Sequence, residues 1–336
     1  MKSIAKTYTL TADVLPSGSK LALPPLSVKT EKHLSFTCDV PSLGEGKITV
    51  GHGKDISSGS WIEIDAEYIR AYAYYEYTDP KYRELIKEPI KHGFDSIRTL
   101  SVVINSNPHA RETFAIVSTN SGMIKFDLFG WDGVAGEIFA MAEGTEITNC
   151  RLNWFTDGFS RKIWILGDSY SGIGHSARWP YYLYRDGFNN CMISGFPGMP
   201  SESAIEEFCR LVEMGTPEYA VWTLGMNNAD KDGKISEGYL RSTERFLEIC
   251  KEHGITPILS TIPNCPKVNN RQKNEWVRSQ PYRYIDFARA VGSTDSDEWY
   301  AGMLFTDEIH PATKGAEALY MQFLCDFPEI MQASNT

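Results

Sequence analysis

The chain has 336 residues, of which 42% are hydrophobic and 23% charged, and its formal net charge is −10. This composition is ordinary for a soluble globular protein long enough for two domains, and it argues against extensive disorder. An acidic chain without a Lys/Arg run is a poor candidate for binding nucleic acid or a membrane surface. No apolar stretch of about eighteen residues, the length of a membrane-spanning helix, is present.

The N-terminal segment and the cysteines bear on the compartment. The segment MKSIAKTYTLTADVLPSGSK lacks the continuous apolar core of a secretory signal. We therefore expect a cytoplasmic protein, or a secreted or periplasmic one if a signal was removed ahead of this numbering. The seven cysteines are scattered, without a CxxC pair or a Cys/His cluster. They predict buried free thiols and no structural metal, and we expect no cofactor.

Residues 1–158 predict an all-β domain. In HLSFTCDV the apolar residues Leu34, Phe36, Cys38 and Val40 alternate with polar ones, and WIEIDAEYIRAYAYYEY and LSVVINSN are similarly β-branched and aromatic. A short helix is expected only within DPKYRELIKEPIKHG, residues 79–93. Many strands separated by turn residues predict a jelly-roll-like sandwich of antiparallel sheets.

Residues 159–336 have a different pattern, in which strands alternate with helices. The strands are KIWILG, NNCMISG, EYAVWTLG, TPILSTIP and YRYIDF. The helices between them include SESAIEEFCRLVEMG, with Ser201 as the expected N-cap, and a last helix that begins after Pro311. This alternation predicts parallel βαβ units, and hence an α/β domain of three layers with a flavodoxin-like parallel sheet.

Polar residues follow several of these strands. The first strand is followed by Gly-Asp-Ser, the second by SGFPGMPS, the third by GMNNAD, and DEIHPATKG precedes the last helix. Since ligands of open parallel sheets bind beyond the carboxyl ends of the strands, we expect these segments to converge at one edge. A serine, a histidine, an aspartate and hydrogen-bond donors are the parts that ester hydrolysis needs.

Four short blocks, GDSYSG, SGFPG, GMNN and DEIHP, occur in the order found in the SGNH (GDSL-type) hydrolases, which residues 162–325 resemble. The resemblance implies that Ser169 is the nucleophile, His310 the general base and Asp307 the group that orients it. It also implies an oxyanion hole made of the Ser169 amide, the Gly198 amide and the Asn227 side chain, with Gly195 as the alternative glycine. Further candidates for the substrate pocket are Asp168, Tyr170, His175, Gly195 and Trp179.

Two positions depart from the family pattern. Ile193 stands where an asparagine usually precedes the second block, and Asn228 replaces the aspartate that usually ends the third. The first change weakens the assignment of the oxyanion glycine. The second is expected to affect the local turn rather than the donor of Asn227.

Some of these motifs also have simpler, non-catalytic interpretations. A Gly-Asp-Ser alone can be a turn that ends a strand, and Ser171 is a rival hydroxyl. The segment NADKDGKISEGY, residues 228–239, imitates a calcium loop, but Tyr239 stands where the loop needs a bidentate glutamate. We therefore expect a solvated turn there and no metal.

The resemblance implies hydrolysis of acyl esters without naming the acyl group. A β-sandwich ahead of an SGNH domain resembles bacterial carbohydrate esterases that remove acetyl groups, and the aromatic content of 12% suits stacking on sugars. We therefore expect a small-molecule or oligosaccharide ester as substrate. A lipid esterase, a lysophospholipase or a thioesterase is the alternative among enzymes. A carbohydrate-binding protein with an inactive hydrolase domain is the alternative from another class.

Overall fold

The computed structural model describes residues 6–23, 32–53, 60–74, 82–89, 98–107, 112–120, 122–127, 137–156, 161–171, 177–188, 190–195, 198–228, 230 and 234–333. The chain divides into two compact units, Ala5–Asp157 and Gly158–Thr336. No helix in these described ranges is both long and apolar enough to cross a lipid bilayer.

The N-terminal unit is built from antiparallel strands. They are β1 Lys6–Leu15, β2 Lys20–Leu23, β3 Lys32–Ser42, β4 Lys47–Gly53, β5 Ser60–Ile64, β6 Tyr68–Tyr74, β7 Tyr82–Pro89, β8 Thr99–Asn107, β9 Glu112–Thr119, β10 Gly122–Asp127, β11 Glu137–Glu143 and β12 Glu146–Thr156. They form two sheets, with the orders β1-β12-β3-β8-β9-β10 and β2-β11-β4-β5-β6-β7.

The strand order agrees with the predicted jelly roll. The chain alternates between the sheets in β1 to β4 and returns through β11 and β12, which lie between the early strands. The first four strands of each order, β1-β12-β3-β8 and β2-β11-β4-β5, follow a jelly-roll pattern to which β6, β7, β9 and β10 are added. Leu34, Phe36, Cys38 and Val40 on β3 are all buried, as their alternation predicts.

The prediction of a short helix within residues 79–93 is wrong. Where that segment is described it forms β7, which pairs antiparallel with β6 from Tyr74↔Tyr82 to Tyr68↔Pro89, with one register shift after Ala71. Pairing with a neighbouring strand supplies backbone hydrogen bonds that outweigh the weak helix preference of a short segment.

The cysteines are all free, but they are not all buried. Five are buried, Cys209 is partly exposed and Cys325 is exposed. The expectation of buried thiols is therefore wrong for Cys325, which lies near the end of the last long helix.

The C-terminal unit is built around a five-stranded parallel sheet. Its strands are β13 Ile163–Gly167, β14 Cys191–Gly195, β15 Tyr219–Thr223, β16 Thr256–Ser260 and β17 Tyr284–Ile285, in the order β14-β13-β15-β16-β17. Its helices are α1 Pro180–Arg185, α2 Ser201–Met214, α3 Glu237–His253, α4 Arg271–Ser279, α5 Phe287–Ala290, α6 Thr313–Asp326 and α7 Glu329–Ala333. This is the flavodoxin-like strand order, so the predicted α/β class is confirmed.

Helices cover both faces of this sheet. Ile163 and Ile165 of β13 belong to the apolar cluster that includes Leu319 and Phe323 of α6. The intervening Trp164 points to the other face, where its ring centroid lies 6.5 Å from that of Phe208 on α2. Successive residues of a strand face opposite sides, so the continuous apolar run Ile163–Leu166 fills two cores at once.

The start of α2 differs by one residue from the prediction. Pro200, not Ser201, holds the N-cap position with an extended backbone, and Ser201 is the first helical residue. The Ser201 hydroxyl lies 2.6 Å from the Ser242 hydroxyl of α3 and so joins the two helices. The start of α6 just after Pro311 is confirmed, with Thr313 as its first residue.

Gly167, the last residue of β13, leaves no room for a side chain. A Cβ there would lie 2.2 Å from Ser171 Oγ and 2.3 Å from Thr223 Oγ1. These hydroxyls are buried and 2.8 Å apart, and Thr223 also donates to the carbonyl of Leu166 over 3.0 Å. The first letter of the Gly-Asp-Ser block is thus explained by close packing against two other polar side chains.

We expect Gly167→Ala to lower the free energy of unfolding by about 3 kcal/mol, because overpacking is costly and it displaces a buried hydroxyl pair. Urea unfolding followed by tryptophan fluorescence measures this. Adding Ser171→Gly should recover part of the loss, because it removes one of the two clashing side chains. Unchanged stability of Gly167→Ala would contradict the packing argument.

Candidate active site

The Ser169 hydroxyl lies in a short 3₁₀ turn directly after β13. The turn covers Ser169–Ser171, and the Ser171 amide donates to the Asp168 carbonyl over 3.1 Å. Ser169 keeps 7% of its surface exposed. The order of the strands changes direction between β13 and β15, and such a switch point is where ligands bind in this type of sheet.

A second segment, which we call the base loop (residues 303–312), carries His310. Two backbone hydrogen bonds close it. The Phe305 amide donates to the His310 carbonyl over 2.8 Å, and the Ala312 amide donates to the Met303 carbonyl, also over 2.8 Å. The loop therefore holds its histidine on a fixed backbone.

Asp307 organises the tip of the base loop. Its Oδ1 accepts hydrogen bonds from the backbone amides of Ile309 and His310, each over 2.9 Å. Glu308, between Asp307 and Ile309, has a φ of +63°, in the left-handed region that non-glycine residues seldom adopt. The side chain of Asp307 thus stabilises a tight turn that directs the imidazole.

The pKa of Asp307 falls to about 2. Partial burial by itself raises it, but the His310 amide, the Ile309 amide and the imidazole outweigh that effect together. Asp307 is therefore a carboxylate across the ordinary pH range and can accept a hydrogen bond from the imidazole.

His310 connects the two segments. Its Nδ1 lies 2.7 Å from Asp307 Oδ2, and its Nε2 lies 2.8 Å from Ser169 Oγ. When Nδ1–H donates to the carboxylate, Nε2 has a free lone pair directed at the serine hydroxyl. That arrangement can take the serine proton and hold the resulting imidazolium.

We expect Asp307→Asn to lower kcat by about 10³–10⁴-fold, because an amide N–H facing Nδ1 favours the wrong imidazole tautomer. The Asn carbonyl can still accept the backbone bonds, so folding should be kept. Initial rates on an aryl acetate measure the effect, with the exposed carboxylate changed in Asp295→Asn as a control. A fully active Asp307→Asn would show that Ser169 and His310 work without the aspartate.

Tyr170, a candidate for the substrate pocket, lies largely in the interior. It is 6% exposed, and its hydroxyl donates to the Ile309 carbonyl in the base loop. Its ring centroid lies 5.9 Å from that of His310. Tyr170 therefore fastens the nucleophile turn to the base loop, and its burial raises its pKa well above the ordinary value.

Asp168, another candidate for the pocket, is also buried, with 1% of its surface exposed. Its Oδ1 accepts from the Tyr170 amide over 3.0 Å, and its Oδ2 from the Met226 amide over 3.4 Å. Asp168 thereby ties the end of β13 to the loop after β15. Burial raises its pKa to about 6, although the two amides oppose this.

The raised pKa of Asp168 predicts a pH-dependent stability. Its folded pKa lies above the ordinary 3.8, so its contribution is fully present below pH 4 and is lost as the pH rises through 6. A difference of about two pKa units corresponds to about 3 kcal/mol.

We therefore expect the difference in the free energy of unfolding between the wild type and Asp168→Asn to fall by about 2–3 kcal/mol between pH 4 and 7. Parallel urea titrations measure it, and the other titrating groups cancel in the difference. A difference that stays constant with pH would contradict the burial argument.

The second and third blocks meet beside each other. Asn227 is exposed and its Nδ2 donates to the Met199 carbonyl over 3.0 Å. Asn228 is buried; its Oδ1 accepts from the Ser201 amide over 3.0 Å and its Nδ2 donates to Glu202 over 2.6 Å. Asn228 thus holds the start of α2 against the loop that carries Asn227.

The two candidate glycines differ in position. Gly198 is exposed with a φ of +72°, and a Cβ there would meet nothing within 4 Å. The positive φ by itself favours glycine at this position. Gly195 is buried at the end of β14, paired with Gly167.

Trp179 is the third aromatic or acidic candidate for the pocket, and the structure places it in the core. It is fully buried, and its ring centroid lies 5.3 Å from that of Phe287 and 4.7 Å from that of Phe323. Trp179 packs in the core beneath α6. His175 lies outside the described residues.

Lys273 is a buried charge that the sequence analysis missed. Its Nζ lies 2.9 Å from Asp230 Oδ1 and 2.8 Å from Asn270 Oδ1, and no part of its side chain is exposed. Asp230 belongs to the segment that imitates a calcium loop, and the cation that contacts its carboxylate is the ammonium group of Lys273. Burial lowers the pKa of Lys273. No group of three metal-binding side chains occurs among the described residues.

Comparisons with solved structures find G-D-S-L lipolytic proteins and carbohydrate esterases among the matches. A protein of the G-D-S-L lipolytic family from Desulfitobacterium hafniense DCB-2 is 16% identical, with 49% of this chain and 99% of that chain covered, at a TM-score of 0.43. A carbohydrate esterase of family 3 from Talaromyces cellulolyticus is 19% identical, with 52% and 98% covered, at 0.39. An acetyl xylan esterase from Geobacillus stearothermophilus is 16% identical, with 50% and 95% covered, at 0.40.

No family model and no curated protein sequence matches the chain. What decides the resemblance is the position of the four blocks in this fold, with Gly-Asp-Ser after β13 and Asp-x-x-His just before α6. The C-terminal unit resembles the SGNH hydrolases. The side chains of the first and fourth blocks touch through Ser169 and His310.

Proposed function

We propose that this protein is a serine esterase that removes acyl groups, above all acetyl groups, from carbohydrate esters. The observation that carries the proposal is the continuous chain of contacts from Ser169 through His310 to Asp307, at 2.8 and 2.7 Å. These distances lie within hydrogen-bond reach, as required of a nucleophile, its base and the group that orients the base.

In the proposed reaction, Ser169 Oγ attacks the acyl carbon while His310 Nε2 takes its proton. The tetrahedral oxyanion collapses, the bond to the alcohol oxygen breaks, and His310 returns the proton to that oxygen. Water then attacks the acyl-serine ester by the same proton route and releases the carboxylic acid. Asp307 stays ionised throughout, in keeping with its low pKa.

The proposed oxyanion donors are the Ser169 amide, the Gly198 amide and the Asn227 side chain. The Asn227 Nδ2 carries two N–H bonds, and its contact with the Met199 carbonyl uses one of them. The second N–H is the proposed donor. Donors held by other contacts before the reaction need no rearrangement when the negative charge develops.

The carbohydrate part of the proposal is supported by the organisation of the chain, in which an antiparallel β unit comes before the α/β unit. The abundance of tyrosine and tryptophan, 17 and 8 residues, is compatible with sugar binding.

Hydrolysis of p-nitrophenyl acetate, butyrate and octanoate by the wild type and by Ser169→Ala tests the proposal. We expect serine-dependent turnover that is fastest on acetate, followed by release of acetate from acetylated xylan or acetylated sugars. Faster turnover of octanoate would favour a lipid esterase. A folded protein without activity on any ester would favour a carbohydrate-binding role.

A further inference from the structure

Phe305 is an exposed aromatic side chain on the base loop. It keeps 53% of its surface exposed, although it lies within a tightly hydrogen-bonded segment. Single exposed apolar residues are common and need no explanation by themselves. The position of Phe305 relative to His310 is what gives this one significance.

The backbone pairing places Phe305 opposite His310. Leu304 and Pro311 form an antiparallel bridge, and the Phe305 amide donates to the His310 carbonyl over 2.8 Å. Residues opposite each other in an antiparallel pair project their side chains to the same face, with Cβ atoms about 5 Å apart. The side chains of Phe305 and His310 therefore leave the backbone on the same face of the loop.

The backbone under this ring is also fixed at its other polar group. The Phe305 carbonyl accepts from the Glu308 amide over 3.0 Å. Both polar backbone groups of Phe305 are thus bound within the loop that places His310. The backbone that carries the ring is thus ordered before a ligand binds, so its ordering adds no cost to binding.

The reaction determines which part of an ester lies beside His310. When the tetrahedral intermediate collapses, the proton on Nε2 goes to the oxygen of the leaving alcohol. The alcohol must then lie within hydrogen-bond distance of the imidazole. The acyl group, by contrast, is attached to the carbon whose oxygen faces the proposed amide donors.

We infer that Phe305 is a specificity-determining residue whose ring packs against a cyclic alcohol portion of the substrate, such as a sugar ring. A six-membered ring in its chair form can cover the exposed phenyl face with one of its C–H faces, whereas a short open-chain alcohol offers too little surface to do so. The inference rests on the proposed function and adds to it the side of the substrate that is recognised.

The test compares acetates that differ only in their alcohol. Release of acetic acid from ethyl acetate, cyclohexyl acetate and a monoacetylated methyl xylopyranoside is followed by pH-stat for the wild type, Phe305→Ala and Phe305→Leu. Tyr282→Ala is the matched control, because Tyr282 is 38% exposed and lies just before β17, at the amino end of the parallel sheet, whereas Ser169 follows the carboxyl end of β13.

For Phe305→Ala we expect kcat/KM to fall about tenfold on the two cyclic alcohols and less than twofold on ethyl acetate, as loss of one well-packed aromatic contact implies. Phe305→Leu should fall between the two, and Tyr282→Ala should match the wild type. The ratio of rates on p-nitrophenyl butyrate and acetate should not change in any variant.

Three results would overturn the inference. An equal loss on all alcohols would indicate a general effect on the base loop, and no loss would leave Phe305 without a role. A changed butyrate-to-acetate ratio would place Phe305 on the acyl side. If instead the wild type hydrolysed no ester, the proposed function would fall, and the inference with it.

Discussion

Ser169→Ala is expected to lose ester hydrolysis by on the order of 10⁶-fold in kcat, because no other group at this position can form the acyl intermediate. The variant should remain folded. The Ser169 side chain bonds to His310 Nε2. Because the imidazole is partly exposed, it can bind water once the hydroxyl is removed. Rates on p-nitrophenyl acetate, with thermal unfolding as a check of the fold, measure the two effects separately.

Ser171→Ala provides the matched control for this experiment. Ser171 is fully buried and its hydroxyl lies 2.8 Å from that of Thr223, so its loss should cost stability and leave the chemistry intact. Labelling with phenylmethylsulfonyl fluoride, read by peptide mass, should modify Ser169 in the wild type and in Ser171→Ala. Full activity of Ser169→Ala, or labelling of another residue, would refute the assignment.

His310→Ala should lower kcat about as much as Ser169→Ala does. The base and the nucleophile act as a unit, so the double variant should be no slower than either single one, within a factor of about ten. The same aryl acetate assay measures this, and an exposed histidine, changed in His253→Ala at the end of α3, is the control.

A multiplicative loss in the double variant would show that the two residues contribute independently. That result would contradict the direct bond between Nε2 and Oγ as the working contact. Activity of His310→Ala restored by added imidazole would support it, since a free imidazole can take the serine proton.

The parallel sheet could be predicted because its strands are continuous apolar runs. The run Ile163–Leu166 is buried on both faces, and such runs indicate strands between two helical layers. The strand β7 could not be predicted, because Tyr82–Pro89 is a strand only through its pairing with β6. Local preference carries little information about a partner elsewhere in the chain.

The contact of Ser169, Asp307 and His310 could be expected from the sequence blocks, whereas the surroundings could not. Tyr170 follows the serine directly, but its hydroxyl turns inward to a carbonyl 139 residues away. Which way a side chain points after a strand ends depends on packing that only the folded unit defines. Lys273 gave no signal at all, because a buried lysine looks in sequence like any exposed one.

The separation of the catalytic partners along the chain has a consequence for how the protein becomes active. Ser169 and His310 are 141 residues apart, and ribosomes add roughly 5–20 residues per second, so roughly 7–28 s pass between their synthesis. During that time the nascent chain already carries its serine but has no base to activate it. Under the proposed mechanism, the chain therefore stays inactive on the ribosome until nearly all of its C-terminal unit has been synthesised and folded.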